Sequence, residues 1–167
     1  MSAIRWLPFE QVALRSAGLR SADAELLAER GLPNDSNRMF VRNARRELHL
    51  QEFPRVGPAV FLGDFEDGVN SYWLSVADGS VWIKKGYEGT EGDFTRVNSS
   101  LYTFQRMLEI WEGFIFSGVQ EEDDSYDALV EQVVTEAGDA DPEVFEDEDS
   151  WWSRVFEEIE LGSLAPE

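Results

Sequence analysis

The hydrophobic period of the chain changes at Asn98-Ser99-Ser100, and that change restricts the folds open to it. Upstream lie short runs of strand character. "AVFLGDF" (59–65) is an apolar run broken by Gly63. "SYWLSVADGSVWIKK" (71–85) carries Tyr72, Trp73, Leu74 and Val76 on one arm and Val81, Trp82 and Ile83 on the other. Asp78-Gly79 between the arms supplies the positive φ of a tight hairpin turn. "FTRV" (94–97) adds a further short strand. Downstream, Leu101, Phe104, Leu108, Trp111 and Ile115 recur at spacings of three and four, with Met107 and Phe114 beside them. That is one apolar face of a helix of period 3.6. A sheet of three or four antiparallel strands presents an apolar face that something must cover, and this helix is built to cover it. Asn98, Ser99 and Ser100 are all residue types that cap helices, so the polar triplet reads as the strand-to-helix corner, with Gly118 ending the helix.

Helical signals flank this unit. "LPFEQVALRSAGL" places Pro8 near a first helical turn and Gly18 at a stop. "SADAELLAERGLP" has Ser21 as a cap, Asp23 and Glu25 at the positive end of the dipole, Gly31 as a left-handed terminator and Pro33 beyond it. After Gly118 the pattern predicts a helix carrying Tyr126, Leu129, Val130, Val133, Val134 and Ala137 and ended by Gly138. A helix start is expected at Asp141-Pro142, with Asp141 as cap. A last helix places Trp152, Val155, Phe156 and Ile159 on one face and is closed by Gly162. The expected architecture is α+β, a central antiparallel sheet with flanking helices and an acidic helical C-terminal part. The 167 residues form a single domain, with 119–167 belonging to it.

Charge is distributed unevenly. Residues 1–60 hold nine Arg and seven acids, a net of +2, whereas residues 119–160 hold seventeen acids and only Arg154, a net of −16. A field of that sign repels nucleic acid and attracts basic proteins, although acidic residues also simply solvate a surface. The chain has no Cys, which excludes disulfides, thiolate metal sites and Cys nucleophiles. No secretion signal is visible at the N-terminus, and no apolar run reaches the roughly 18 residues of a membrane span, so a cytoplasmic location is expected.

Catalytic constellations are missing from the sequence. His49 is the single histidine, and the Ser hydroxyls at 99 and 100 have none nearby in sequence. "DFEDG" (64–68) starts like a calcium loop, but its Gly falls one position early and the twelfth position lacks Glu, so it reads as a turn. The runs "EEDD" and "EDED" hold consecutive carboxylates that do not converge on one point. "GYEGTEGD" (86–93) has glycines but no Lys and is a poor phosphate cradle. No metal or cofactor is expected. An acidic hydrolase would need two carboxylates within about 5–9 Å across a sugar-sized gap.

Five signals occur in order: "GLP" at 31–33, "FLG" at 61–63, "LSVADGSVW" at 74–82, "VNSSLYTF" at 97–104 and "DPEVFEDEDSWWSRVFEEI" at 141–159. In this order the chain resembles the fourth subfamily of the SUKH superfamily of bacterial immunity proteins, over about residues 19–162. The resemblance implies an α+β fold and a non-enzymatic protein of a polymorphic toxin system. Such a protein binds and neutralises an intracellular toxin, such as a nuclease or a deaminase, by direct contact. It also admits a second role, a scaffold or regulatory adaptor with an endogenous protein partner. The matching residues are mostly architectural and do not locate the toxin-facing surface. Charge and exposure select the expected partner contacts: Glu121, Glu122, Asp123 and Asp124, then Glu146, Asp147, Glu148 and Asp149, and Trp151. The acids would attract a basic toxin from a distance. Trp151 stands beside the Trp152–Ile159 face, not within it, and would point partly outward as an aromatic anchor. Neither nucleic acid, nor a membrane, nor a small-molecule substrate is expected as a partner.

Overall fold

A computed structural model describes residues 4–86, 93–148 and 150–161. In chain order the elements are β1 (Trp6–Leu7), α1 (Gln11–Ala17), α2 (Ser21–Glu29), β2 (Leu32–Pro33), β3 (Leu50–Phe53), β4 (Gly57–Asp64), β5 (Ser71–Ser75), β6 (Val81–Lys85), β7 (Asp93–Asn98), α3 (Leu101–Ile115) and α4 (Tyr126–Ala140). A 3-10 turn (Pro142–Glu146) and α5 (Trp151–Glu160) complete the order. Strands β3 to β7 form one antiparallel meander in sequence order, and β1 pairs with β2. The fold is α+β, as the alternation of periods predicts.

Two of the hairpin turns within the sheet are set by aspartates. Asp67 Oδ1 accepts the N–H groups of Val69 and Asn70, both at 2.9 Å, and turns β4 into β5. Asp78 Oδ1 accepts the N–H of Ser80 at 2.9 Å and its hydroxyl at 2.6 Å. The tip between β5 and β6 is longer than a two-residue turn. Ser75 and Ser80 bond across it at 2.8 Å, and the Gly79 N–H returns to the Ser75 carbonyl at 2.9 Å. Gly79 takes φ 77°, and a Cβ there would strike the side chains of Arg20 and Asp23, so the tip is seated on the start of α2.

Both faces of the sheet are apolar, where the sequence pattern anticipates one. Val60, Leu62, Tyr72, Leu74, Ile83 and Val97 join the main core with Leu101, Phe104, Leu108 and Trp111 of α3. The Trp111 indole N–H holds the 36–37 turn through the carbonyls of Ser36 at 2.8 Å and Asn37 at 2.9 Å. A second cluster contains Phe53, Phe61, Trp73 and Phe94, with Trp82 packed against it, so each of β3 to β7 contributes one aromatic. Trp73 meets Phe53 and Phe61 edge-on at 4.8 and 5.6 Å, and the Arg46 guanidinium lies 4.3 Å from the Phe61 ring centre.

Several local expectations are corrected. The N-cap of α2 is Arg20, without a side-chain cap, and Ser21 is the first helical residue. Helix α1 begins at Gln11, so Pro8 precedes it. Gly138 does not end α4, which continues to Ala140. Asp141 makes no side-chain cap for the element beginning at Pro142, and that element is a 3-10 turn. The end of the last helix expected at Gly162 and most of the glycine-rich stretch 86–93 lie outside the described residues.

Candidate functional site

The C-terminal helices are held to the sheet by a buried polar knot made from the strand-to-helix corner. Of the three cap-type residues only Ser100 caps α3. Its hydroxyl accepts the Thr103 N–H at 3.1 Å, and Thr103 Oγ1 accepts the Ser100 N–H at 3.2 Å. Asn98 and Ser99 turn instead to Asp141. Its Oδ2 accepts from Asn98 Nδ2 at 3.0 Å and from the Ser99 N–H at 2.9 Å, while its Oδ1 accepts the Ser99 hydroxyl at 2.8 Å. The Asn98 oxygen then accepts the Trp152 indole N–H at 2.8 Å. Asp141 is thereby consumed by the corner, which is why it is not free to cap the 3-10 turn.

With Asp141 and Trp152 fixed, α4 and α5 lie side by side. The Tyr126 hydroxyl at the start of α4 donates to the Ile159 carbonyl near the end of α5 at 2.6 Å, so the two helices run antiparallel. Tyr126, Val130, Val133 and Ala137 of α4 and Trp152, Val155, Phe156 and Ile159 of α5 are buried in the main core. This pair carries a shallow groove in two adjoining parts of about 320 Å³ and about 270 Å³. Val134 and Glu160 line both parts. Its apolar floor is Val130, Val134, Phe145 and Phe156, with the Phe145 and Phe156 rings 5.7 Å apart. Its charged lining is Asp127, Glu131, Glu148, Glu157 and Glu160, all exposed, and among the described residues no Lys or Arg lines it.

The sequence-selected acids fall on two turns around this layer. Glu121, Glu122, Asp123 and Asp124 are all exposed between α3 and α4, and Asp123 also shapes that turn by accepting the Gln120 N–H at 2.7 Å. Glu146 at the end of the 3-10 turn and Asp147 and Glu148 after it are exposed. Only Glu148 of these seven lines the groove. Asp149 lies outside the described residues. Trp151 is half-buried. Its ring packs edge-on against Phe65 at 5.1 Å and Tyr72 at 6.2 Å, and its buried indole nitrogen has no well-aligned hydrogen-bond partner.

Sequence reasoning misses Phe145, Glu157 and Glu160 as members of one surface. The available signal is the Val133-Val134 pair: Val133 belongs to the buried face, so Val134, one step around the helix, sits at its margin. What the sequence does not supply is the antiparallel pairing that sets Val134 opposite Phe156.

This surface combines half-buried apolar side chains with a rim of exposed carboxylates. Among the described residues no group of three or more His, Cys, Asp or Glu is placed to hold a metal ion, and no helix is long and apolar enough to cross a membrane. In the core, burial raises the Tyr72 phenol well above its ordinary range. That hydroxyl donates to the Met39 carbonyl at 2.9 Å and is structural.

A family model described as SUKH-4 immunity protein matches residues 4–158. The chain belongs to the SUKH-4 immunity protein family. The match spans the β-meander, the polar knot and the groove up to Glu157, so this SUKH-4 protein carries its acidic helical layer within the family region. Membership points to toxin immunity, with a protein toxin as partner and a role that is typically non-catalytic. No curated protein and no solved structure matches the chain.

Proposed function

We propose that this SUKH-4 protein neutralises a cognate intracellular toxin by direct, stoichiometric, non-catalytic contact, and that the toxin presents a basic surface such as the substrate groove of a nuclease. The observation that carries this reading is the charge of the C-terminal layer. Seventeen acids against one base over residues 119–160 stand on an immunity-family fold. A nuclease groove built to hold phosphates is complementary to such a layer, and the same field accelerates encounter by roughly 10–10³-fold at low salt. In this proposal Glu121–Asp124 and Glu146–Asp149 supply long-range attraction, because exposed single ion pairs contribute only about 0–1 kcal/mol each. Trp151 braces the start of α5 three residues after Glu148 and lends its exposed part to the contact. The protein acts in the cytoplasm, where such a toxin finds its target.

Co-expression with the protein encoded next to it tests the reading. Rescue of growth together with a complex that co-elutes on a sizing column supports it. Failure of both removes it, and a stable complex with an endogenous, non-toxic protein would favour an adaptor instead.

A further inference from the structure

The geometry points to the groove between α4 and α5 as the docking site of a basic amphipathic helix of the toxin. This inference rests on the immunity reading and specifies its contact surface. Two antiparallel helices joined at Tyr126–Ile159 offer a seam on which a third helix can lie. The accessible apolar surface is the half-buried Val134 and Phe145, with the buried Val130 and Phe156 beneath them. Val130 and Val134 are one turn apart on α4, with Phe145 and Phe156 beyond them. From Asp127 to Val134 the groove runs along α4 for about 10 Å, roughly two turns of a docked helix. Carboxylates flank that floor: Asp127 and Glu131 on α4, Glu157 and Glu160 on α5, and Glu148 at the end.

Charge complementarity selects the occupant. Lys or Arg side chains flanking a Leu or Ile stripe would reach the carboxylates while the stripe covers Val134 and Phe145. A second copy of this chain is disfavoured, because it would set the same five carboxylates against each other. Nucleic acid is repelled by them. The acidic turn at 121–124 is exposed charge, which steers a partner at long range.

The test uses the full chain, labelled for NMR, and two synthetic 15-residue peptides of identical composition. One has Leu and Lys arranged as an amphipathic helix, and the other is scrambled. The expected result is amide shifts concentrated on the groove-facing residues of α4 and α5, and at least about tenfold tighter binding of the helical peptide. The exposed charge reversals Glu131→Lys and Glu160→Lys together should remove that preference, and Val134→Glu should do the same if it folds. Equal binding of the two peptides, or shifts centred on 121–124, overturns the inference. Groove shifts on concentrating the protein alone also overturn it, by naming a second copy as occupant. A toxin assay separates this from the functional reading. If the wild type neutralises the toxin and the double reversal does so equally well, the groove is wrong and the immunity function stands. If the wild type does not neutralise it, the function falls, and the peptide comparison still decides whether the groove takes a basic helix.

Discussion

The Trp152 indole N–H donates to the Asn98 side-chain oxygen at 2.8 Å, joining residues 54 apart in sequence. Through Asn98 the bond continues to Asp141, so one buried network ties the end of β7, the start of the 3-10 turn and the first turn of α5. Asp141→Ala would strip the acceptor from Asn98 and Ser99. Each buried donor left unsatisfied costs about 1–3 kcal/mol, and urea denaturation should show a loss of at least about 2 kcal/mol. Trp152→Phe and Asn98→Ala should each destabilise the protein, and the double variant should lose less than the sum, as partners in one network do.

That network marks the boundary of what the sequence discloses. The period switch at Asn98-Ser99-Ser100 is legible because side-chain spacing reports local geometry, and the helix over 101–115 is legible for the same reason. The partner of the triplet is not legible, because Asp141 looks like a helix cap until the fold brings it back over 42 residues to Ser99. The strand at Leu50–Phe53 escapes notice because only Phe53 of its four side chains is buried, leaving no alternation to read. The acidic character of the candidate site is written in its composition. Its shape depends on which helix faces which, and that is decided by tertiary packing.

Two glycines should respond in opposite directions to the same change. A Cβ at Gly63 would enter the Phe40 ring and stand 2.8 Å from the Val41 carbonyl oxygen, and overpacking of this kind costs about 1–3 kcal/mol. At Gly138, inside α4, nothing lies within 4 Å of a new Cβ. Gly138→Ala should therefore raise stability by about 0.5–1 kcal/mol, the helix-propensity difference. Thermal and chemical denaturation of both variants checks the pair.

Burial raises the pKa of Tyr72 well above that of a free phenol, which is near 10. A folded-state pKa above the unfolded one gives stability that is fully present below the unfolded value and is lost as pH rises through the folded value. Stability should thus fall in alkaline solution above about pH 10. Tyr72→Phe should flatten that fall, and should cost about 1 kcal/mol at neutral pH by leaving the Met39 carbonyl without its donor. Stability curves from pH 7 to pH 11 would show whether the two slopes differ. Equal slopes would mean that Tyr72 does not drive the alkaline loss.

Neutralising the turn between α3 and α4, with Glu121→Gln, Glu122→Gln, Asp123→Asn and Asp124→Asn together, should slow toxin association about three- to tenfold at low ionic strength and flatten its salt dependence. The amide at 123 keeps an acceptor for the Gln120 N–H, so the turn itself is retained. Dissociation should change little. Stopped-flow association at two salt concentrations measures this, and an unchanged low-salt rate would rule out steering from this segment.

Trp151→Ala should act on the other rate. The ring supports Phe65 and Tyr72 at the start of α5, so its removal should speed dissociation of the toxin complex and lower stability by about 2–4 kcal/mol. Surface plasmon resonance beside a denaturation curve separates the two effects.

Neutralisation by stoichiometric binding is checked by titrating a fixed amount of active toxin with this SUKH-4 protein. Toxin activity should fall linearly and reach zero at one equivalent, with active toxin recovered when the complex is dissociated in high salt. Complete inactivation at a small fraction of an equivalent, or toxin that stays inactive after release, would contradict it by showing turnover in place of binding.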